Sequence, residues 1–233
     1  MSVKLPTLLD NRSENTVLAA LRLLLPVSKS LDVATGTFEI GSLLALDTLW
    51  QQPEKIRILM GDETTRRTRG EIIAALTGTT NRSIEAEKER DDSLAGLAAV
   101  RASLADKKIN VRVYSMAKFH AKAYLMETNE KSLVDFAVVG SSNFTRPGLT
   151  QNLELNLLTT DQVHIRALRE WYAEVWKEAE EANFDLLRVI EPHLKEYEPF
   201  VVYAKALYEF FAGREKLPDD WEVNDSEIGR AHV

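Results

Sequence analysis

The chain has 233 residues, which is enough for one large α/β domain or two small ones. It contains no cysteine, which excludes disulfides and cysteine-ligated metals, and its net charge of −7 argues against a protein that coats nucleic acid through charge alone. The sequence has no apolar run near the roughly 20 residues that span a bilayer, and its N-terminus lacks the pattern of a secretory signal. We therefore expect a cytoplasmic protein with no membrane partner.

The first sixty residues alternate between helix and strand patterns. Residues 15–25 have amphipathic helical spacing, with Ser13 as the candidate N-cap, and residues 39–51 read as a second helix. Residues 30–38 read as a short strand that runs into a turn, and residues 55–61 as a continuous apolar strand. This alternation predicts a layered α/β domain.

Residues 65–107 are helical and polar, and they fit either one long exposed helix or a helical excursion over a groove. Apolar residues keep helical spacing in the second half, so we expect that half to pack: Leu94, Leu97, Val100 and Leu104. Near the start, the cluster Arg66, Arg67 and Arg69 is either a local basic site or the solvated start of a helix, and Arg66 and Arg67 are the candidates for substrate binding.

Strand patterns return at residues 109–116, 117–126, 134–143 and 152–160. The chain after residue 160 then reads as helical, up to a tail over residues 217–233. We expect one catalytic domain over residues 1–182 and a helical extension or linker over residues 183–226. The last seven residues, 227–233, resemble the translation of a sequencing adapter, which predicts a non-native tail and a natural chain that continues toward a further C-terminal module.

The unusual polar residues lie in the predicted central strands. Because strand side chains alternate between faces, Lys118, His120 and Lys122 share one face, and Glu154 shares a face with its neighbouring asparagines. The segment 140–143, Gly-Ser-Ser-Asn, follows an apolar strand directly. Two neighbouring strands of this kind gather imidazole, ammonium, carboxylate and amide groups on one polar face.

This set of groups suits substitution at a phosphodiester. Ammonium, amide and hydroxyl groups can donate hydrogen bonds to the phosphate oxygens, on which negative charge grows. An imidazole can attack phosphorus or protonate the leaving oxygen, and a carboxylate can fix the imidazole orientation. We expect no metal and no cofactor in this chemistry.

The pattern His120-x-Lys122, an acid, then Gly140-Ser141-x-Asn143 resembles the HKD signature of the phospholipase D superfamily. The resemblance implies a phospholipase D-like mixed β-sheet flanked by helices on both faces, with a C-terminal helical extension. It implies that His120 is a nucleophile that forms a phosphohistidine, that Lys122 and Asn143 bind phosphate, and that Glu154 orients the histidine. The residues that assist substrate binding are then expected to be Ser141, Ser142 and Lys118.

The sequence departs from the signature at the acid. The position of the aspartate holds Glu127, for which we expect a structural role, and Asp135 is the alternative candidate. The superfamily site uses two such histidines, but of the four in this chain only His120 has a lysine two residues on within a strand pattern. We therefore expect a second copy of the chain to complete the site in a homodimer.

A wider resemblance spans most of residues 8–212 and is to the N-terminal HKD domain of bacterial Swi/Snf-type superfamily-two helicases. It implies a DNA nuclease domain within a larger DNA-processing or defence protein. ATP is expected only if a helicase module follows, because these residues contain no Walker A loop. The alternatives are a phosphodiesterase of phospholipid headgroups and a non-catalytic module for dimerisation or DNA binding.

Overall fold

A computed structural model describes residues 7–61, 69–89, 96–129 and 134–194, which fall within one unit, Met1–Leu194. In these residues the strands are β1 (Leu8–Leu9), β2 (Ser28–Thr35), β3 (Lys55–Met60), β4 (Ile109–Val113), β5 (Ala123–Thr128), β6 (Phe136–Gly140), β7 (Asn156–Thr159) and β8 (Glu180–Glu181). The helices are α1 (Val17–Leu24), α2 (Ile40–Leu44), α3 (Arg69–Lys88), α4 (Leu97–Ala105), α5 (Arg146–Thr150), α6 (Gln162–Glu178) and α7 (Asn183–Leu194).

All eight strands form one mixed sheet, in the order β1-β7-β6-β5-β2-β3-β4-β8. Strands β2, β3 and β4 are parallel neighbours, and the other pairs are antiparallel. The parallel strands are joined by helical crossovers, as parallel pairing requires. The predicted mixed α/β sheet is therefore confirmed.

Helices cover both faces of this sheet. One face carries the larger core, to which α1, α2, α3, α4, α5 and α7 each contribute buried side chains. The opposite face carries a smaller core, in which Ile165 and Tyr172 of α6 pack on Leu59, Leu125 and Ala137 of the sheet. The predicted arrangement of helices on both faces is confirmed, and the second face is covered by far less helix than the first.

Helix α1 begins later than the sequence predicts. Ser13 adopts a left-handed backbone with φ 53°, and the N-cap is Thr16, whose hydroxyl accepts a hydrogen bond from the Ala19 amide at 2.9 Å. The prediction of Ser13 was wrong because Thr16 has the extended backbone that an N-cap requires. The predicted helix at residues 39–51 is also shortened, to α2 and a later single turn.

The long polar segment contains two helices, α3 and α4, and Gly96 precedes α4 with φ 94°. The expectation that its second half packs is confirmed for Leu97, Val100 and Leu104, which are buried in the larger core. Leu94 lies outside the described residues. Helix α7, the described part of the predicted extension, buries Leu186 and Ile190 in that same core.

Candidate active site

The ends of four strands meet at one edge of the sheet. The register aligns Ala34 of β2 with Ala123 of β5, then with Val139 of β6 and Leu157 of β7. One residue further toward the edge lie Thr35, Lys122, Gly140 and Asn156. Because neighbouring strands lie about 4.8 Å apart, this row brings together segments that are distant in sequence.

The sequence pattern predicted that His120 and Lys122 lie within a strand. Strand β5 begins only at Ala123, so both residues lie in the segment before it. Phe119 anchors that segment: its ring lies 6.3 Å from the Trp171 ring of α6 and 5.7 Å from the Tyr114 ring. A Cβ on Gly61 would lie 2.2 Å from Phe119 Cβ, so only glycine leaves room for Phe119 at the end of β3. This packing fixes where His120 emerges.

His120 is exposed, whereas the neighbouring Lys122 is only 6% exposed. The Lys122 ammonium lies 3.0 Å from Nδ1 and 3.3 Å from Nε2 of His120, and it donates to the His120 carbonyl at 3.2 Å. A buried cation therefore lies beside an accessible imidazole. This arrangement places an imidazole and a positive charge close enough together to contact a single anion.

Gly140 allows the end of β6 to lie against the start of β7. A Cβ there would lie 2.2 Å from the Leu155 carbonyl oxygen, so a larger residue would push the two strands apart. The close approach lets Ser141 donate its amide to Leu155 at 3.2 Å and its hydroxyl to the carboxylate of Glu154. The Ser141 hydroxyl oxygen also accepts from the Leu155 amide at 3.0 Å, so the turn holds Glu154 in place through its side chain.

Asn143 is oriented by the loop that follows β2. Its Oδ1 accepts hydrogen bonds from the backbone amides of Gly36 at 3.0 Å and Thr37 at 3.1 Å. A backbone N–H can only donate, so the accepting atom is the oxygen and the amide nitrogen points the other way. Thr35, the last residue of β2, also joins the two segments, because its hydroxyl accepts a hydrogen bond from the amide of Phe144, the residue after Asn143, at 2.9 Å.

Ser142, by contrast, faces the interior and is fully buried. Its amide donates to Asn156 Oδ1 at 3.2 Å, its hydroxyl accepts from Asn156 Nδ2 at 2.9 Å, and its carbonyl accepts from Tyr124 at 2.9 Å. Burial, with a smaller contribution from the Glu154 carboxylate, raises the pKa of Tyr124 well above its ordinary value, so the phenol stays a donor. The structure therefore does not bring Ser142 into the accessible cluster.

A family model matches residues 21–176, which is two thirds of the chain, and its description is cardiolipin synthase, PLD-like domain. The chain belongs to the phospholipase D-like family. Enzymes of this superfamily cleave or transfer phosphodiesters and are generally metal-independent. The match contains the segments that carry His120, Lys122, Asn143 and Glu154.

Several solved structures are also similar to this phospholipase D-like chain. NucT from Helicobacter pylori is 13% identical with a TM-score of 0.44, over 71% of this chain and 90% of that one. Nuc from Salmonella typhimurium is 18% identical with a TM-score of 0.42, over 71% and 87%. Phosphatidylserine synthase from Haemophilus influenzae is 15% identical with a TM-score of 0.47, over 91% and 47%. No curated protein sequence is significantly similar to this chain.

The remaining predicted site residues lie in different places. Lys118 is exposed, two residues before His120. Glu127 lies on β5, away from the edge that carries His120, and both Glu127 and Asp135 pair with Arg169 of α6, at 3.7 and 3.2 Å. Asp135 also accepts from the Thr128 amide at 3.0 Å. These two acids therefore attach α6 to the sheet. Arg66 and Arg67 lie outside the described residues.

Two other histidines are described, and both lie on helices. His164 is in the first turn of α6, beside Asp161 at 3.2 Å. His193 has a lysine two residues on in the sequence, but it lies in the last turn of α7 and contacts Asn81 at 2.8 Å and Glu85 at 3.3 Å on α3. His232 lies outside the described residues. Neither described histidine lies at the edge that carries His120.

In the part of the chain that the structure describes, no group of three or more His, Asp or Glu side chains could hold a metal ion. Within the same residues, no helix combines the length and the apolar character needed to cross a bilayer.

Sequence reasoning missed the residues that position the site. It gave no role to Phe119, Trp171 or the Gly36–Thr37 amides, because these act through contacts between segments distant in sequence. A glycine directly after the apolar β3 strand was the one available signal, since Gly61 marks a close approach of another segment.

Proposed function

We propose that this protein is a metal-independent phosphodiesterase that cleaves DNA through a phosphohistidine intermediate. The observation that carries the proposal is the exposed imidazole of His120 beside the buried ammonium of Lys122, at 3.0 Å. Asn143, with its amide orientation fixed by the β2 loop, supplies a second donor for phosphate oxygens. Together they offer a nucleophile and an anion-binding pair on one sheet edge.

In the first step, one imidazole nitrogen of His120 attacks phosphorus, and the bond to the leaving oxygen breaks as the P–N bond forms. The leaving oxygen takes a proton from a general acid. Lys122 and Asn143 donate hydrogen bonds to the non-bridging oxygens, which carry more negative charge in the transition state. In the second step, water attacks phosphorus, the P–N bond breaks, and the former acid takes the proton from the water.

The general acid in this proposal is a second imidazole. Neither His164 nor His193 lies at the edge that carries His120, so we infer that His120 of a second copy of the chain fills the role. Glu154 is proposed to restrain the site from the β7 side, through its hydrogen bond from Ser141. A dimer with one shared site is the arrangement that single-motif members of the superfamily are expected to use.

DNA is the proposed substrate because the site needs only a phosphodiester and the exposed Lys118 adds positive charge beside His120. The resemblance to helicase-associated HKD domains supports the same choice, and it implies that a helicase module would supply the DNA affinity that an acidic domain lacks. Lys118 is proposed to contact the DNA backbone. Arg66 and Arg67 are proposed as additional contacts on the basis of sequence alone.

A second candidate is transfer or hydrolysis of a phospholipid headgroup. The observation that favours it is the family description itself, which names cardiolipin synthase. The same two-step chemistry would apply, with a lipid phosphodiester in place of the DNA backbone.

The test is cleavage of single-stranded and double-stranded DNA in EDTA, with phosphatidylcholine vesicles assayed in parallel. We expect DNA cleavage that His120→Ala abolishes, whereas the matched variant His164→Ala, at an exposed helix position, keeps it. Peptide mass spectrometry of a rapidly quenched reaction should locate the covalent adduct on His120. DNA cleavage by His120→Ala would remove it as nucleophile, turnover of vesicles alone would favour the lipid candidate, and inactivity on both substrates would favour a binding module.

A further inference from the structure

The C-terminal part of helix α3 contacts the two segments that hold Asn143. The amide of Gly41, near the start of α2, donates a hydrogen bond to the Ser83 hydroxyl of α3 at 2.9 Å. Further along α3, the carboxylate of Glu87 accepts two hydrogen bonds from the Arg146 guanidinium of α5, at 2.7 and 2.6 Å. Helix α3 therefore joins α2, which follows the β2 loop, to α5, which follows Asn143.

Glu87 is a buried charge in this contact, because only 6% of the residue is exposed. A Cβ on Gly41 would lie 2.9 Å from Glu87 Oε1, so the glycine lets the carboxylate approach the backbone of α2. Burying an ion pair costs hydration free energy that the attraction repays only in part, and apolar residues of similar size often serve stability as well or better. Stability alone therefore does not account for this pair.

The position of α5 determines where the Asn143 backbone lies. The Asn143 carbonyl accepts from the Thr145 amide at 2.9 Å, and the Thr145 hydroxyl caps α5 by accepting from the Gly148 amide at 3.1 Å. A Cβ on Gly148 would lie 2.5 Å from the Asn143 carbonyl oxygen and 3.2 Å from its nitrogen, so this short helix packs directly on Asn143. A shift of Arg146 within α5 would therefore move Asn143 as well.

The side-chain amide of Asn143 is oriented by the β2 loop, which leads directly into α2. The Glu39 amide, at the end of this loop, donates to the Phe144 carbonyl at 3.1 Å. The hydrogen bond from Gly41 to Ser83 then holds the same part of the chain against α3. The backbone and the side chain of Asn143 are therefore both restrained through contacts with α3.

We propose that Glu87 is a positioning residue for the phosphate site, which acts through Arg146 and α5 to orient the amide donor of Asn143. The inference rests on the proposed function, in which Asn143 donates to a non-bridging phosphate oxygen. Such a donor aids the reaction only if it already points to the place where charge develops, and a displacement of about 1 Å can cost ~100-fold in rate. Glu87 itself contacts no reacting atom in this proposal.

The first test replaces the pair with apolar residues, in the double variant Arg146→Met/Glu87→Leu of the full chain. We expect the urea midpoint to stay close to that of the wild type, because apolar replacement of a buried pair is often neutral or stabilising. The kcat of DNA cleavage should nonetheless fall ~10- to 100-fold with little change in KM, because the lost interaction belongs to the transition state.

The matched control is another ion pair between two helices. Arg101 of α4 donates to Glu191 of α7 at 2.8 Å, and the double variant Arg101→Met/Glu191→Leu should keep the wild-type kcat. Arg146→Lys keeps the charge but loses the fork that binds both carboxylate oxygens, so it should keep part of the rate. If the apolar variant of the Glu87 pair does not fold, Arg146→Lys takes its place in every comparison.

The second test asks whether Glu87 acts through Asn143. Asn143→Asp keeps the acceptor for the β2 loop but has no amide donor left to orient. Adding Arg146→Met/Glu87→Leu to that chain should therefore lower the cleavage rate no further, whereas a pair that is merely structural would lower it by the same factor in both backgrounds.

The third test needs no activity. The side-chain amide resonances of Asn143 in ¹⁵N spectra can be assigned by their loss in Asn143→Asp. They should shift in Arg146→Met/Glu87→Leu and stay in place in Arg101→Met/Glu191→Leu, because only the first pair contacts α5.

The proposal is overturned by wild-type cleavage in the apolar variant, by an equal loss of rate in the Asn143→Asp background, or by Asn143 resonances that do not move. A wild-type chain that cleaves no phosphodiester would overturn the proposed function instead. The resonances would then still decide whether Glu87 orients Asn143.

Discussion

Gly140 is the position where one added methyl group should disturb both the fold and the site. A Cβ built there lies 2.2 Å from the Leu155 carbonyl oxygen, 2.5 Å from Asn156 Oδ1 and 2.6 Å from Asn156 Cα. Favourable carbon contacts begin near 3.5 Å, so in Gly140→Ala the strands β6 and β7 must separate by about 1 Å. Two of these three atoms belong to the backbone, which cannot rotate away as a long side chain can.

The expected cost follows from the hydrogen bonds at this crossing. The bonds from the Ser141 amide to Leu155 and from the Ser142 amide to Asn156 are both 3.2 Å long, so a 1 Å separation would break them. Two lost bonds cost about 2 kcal/mol and the overpacking adds about 1–3 kcal/mol, so the free energy of unfolding should fall by about 3–5 kcal/mol. For a unit of this size the melting temperature should fall by roughly 10 °C.

The assay is urea unfolding of Gly140→Ala together with cleavage by the fraction that remains folded. Gly78→Ala is the matched control: it lies within α3, and its nearest contact is the flexible end of Arg82 at 3.4 Å. That control should raise the free energy of unfolding by about 0.5–1 kcal/mol, because alanine is the better helix former. If Gly140→Ala matches the wild type in stability and cleavage, the close approach of β6 and β7 cannot be what positions Ser141 and Glu154.

Three further predictions use neighbouring contacts. Asn143→Asp keeps the acceptor for the β2 loop but loses the amide donor and adds a negative charge, so the rate of DNA cleavage should fall at least ~100-fold with little change in melting temperature. An unchanged cleavage rate would refute the proposal that Asn143 binds phosphate. Arg146→Ala removes the bidentate partner of the buried Glu87 carboxylate, at 2.6 and 2.7 Å, so the free energy of unfolding measured in urea should fall by about 3 kcal/mol. The double variant Arg146→Ala/Glu87→Leu should recover part of this loss, and an equal loss in both variants would contradict the prediction. Burial, followed by the charge of Lys88, lowers the pKa of His193, so the unfolded chain binds more protons and stability should fall as the pH drops through the ordinary histidine range. His193→Gln should make the melting temperature less dependent on pH between about pH 7 and 5, and an unchanged dependence would exclude His193 as its source.

The sheet was largely predictable from sequence because its strands are short apolar runs with a clear boundary. The runs at residues 55–61 and 134–143 became β3 and β6 with small changes at the ends. The predicted strand boundaries were wrong where polar residues lie in the candidate active site. His120 and Lys122 lie before β5 because the segment is held by Phe119 and its ring contacts, and the alternation of a paired strand is not what brings the two side chains together.

The predicted alternation of side chains was correct around β7, but the sequence could not predict which of the two faces is buried. Leu153, Leu155 and Leu157 share a face, as the period of two predicts, and that face is the exposed one. Whether a strand face is buried depends on which helices lie over it, and α6 ends its coverage short of β7. Asn156 shows the converse, because a polar residue is fully buried there once Ser142 and the Leu9 carbonyl satisfy its amide.

The two H-x-K spacings in this chain show why a motif depends on backbone conformation. His120 and Lys122 lie just before β5, and the Lys122 ammonium lies 3.0 Å from the His120 ring. In a helix, successive residues are rotated by about 100°, so residues two apart project roughly 200° apart. His193 lies in the last turn of α7 and contacts Asn81 and Glu85 of α3. His120 lies beside the Lys122 ammonium, whereas His193 makes a helix contact, and this contrast is why we propose His120 of a second copy as the general acid.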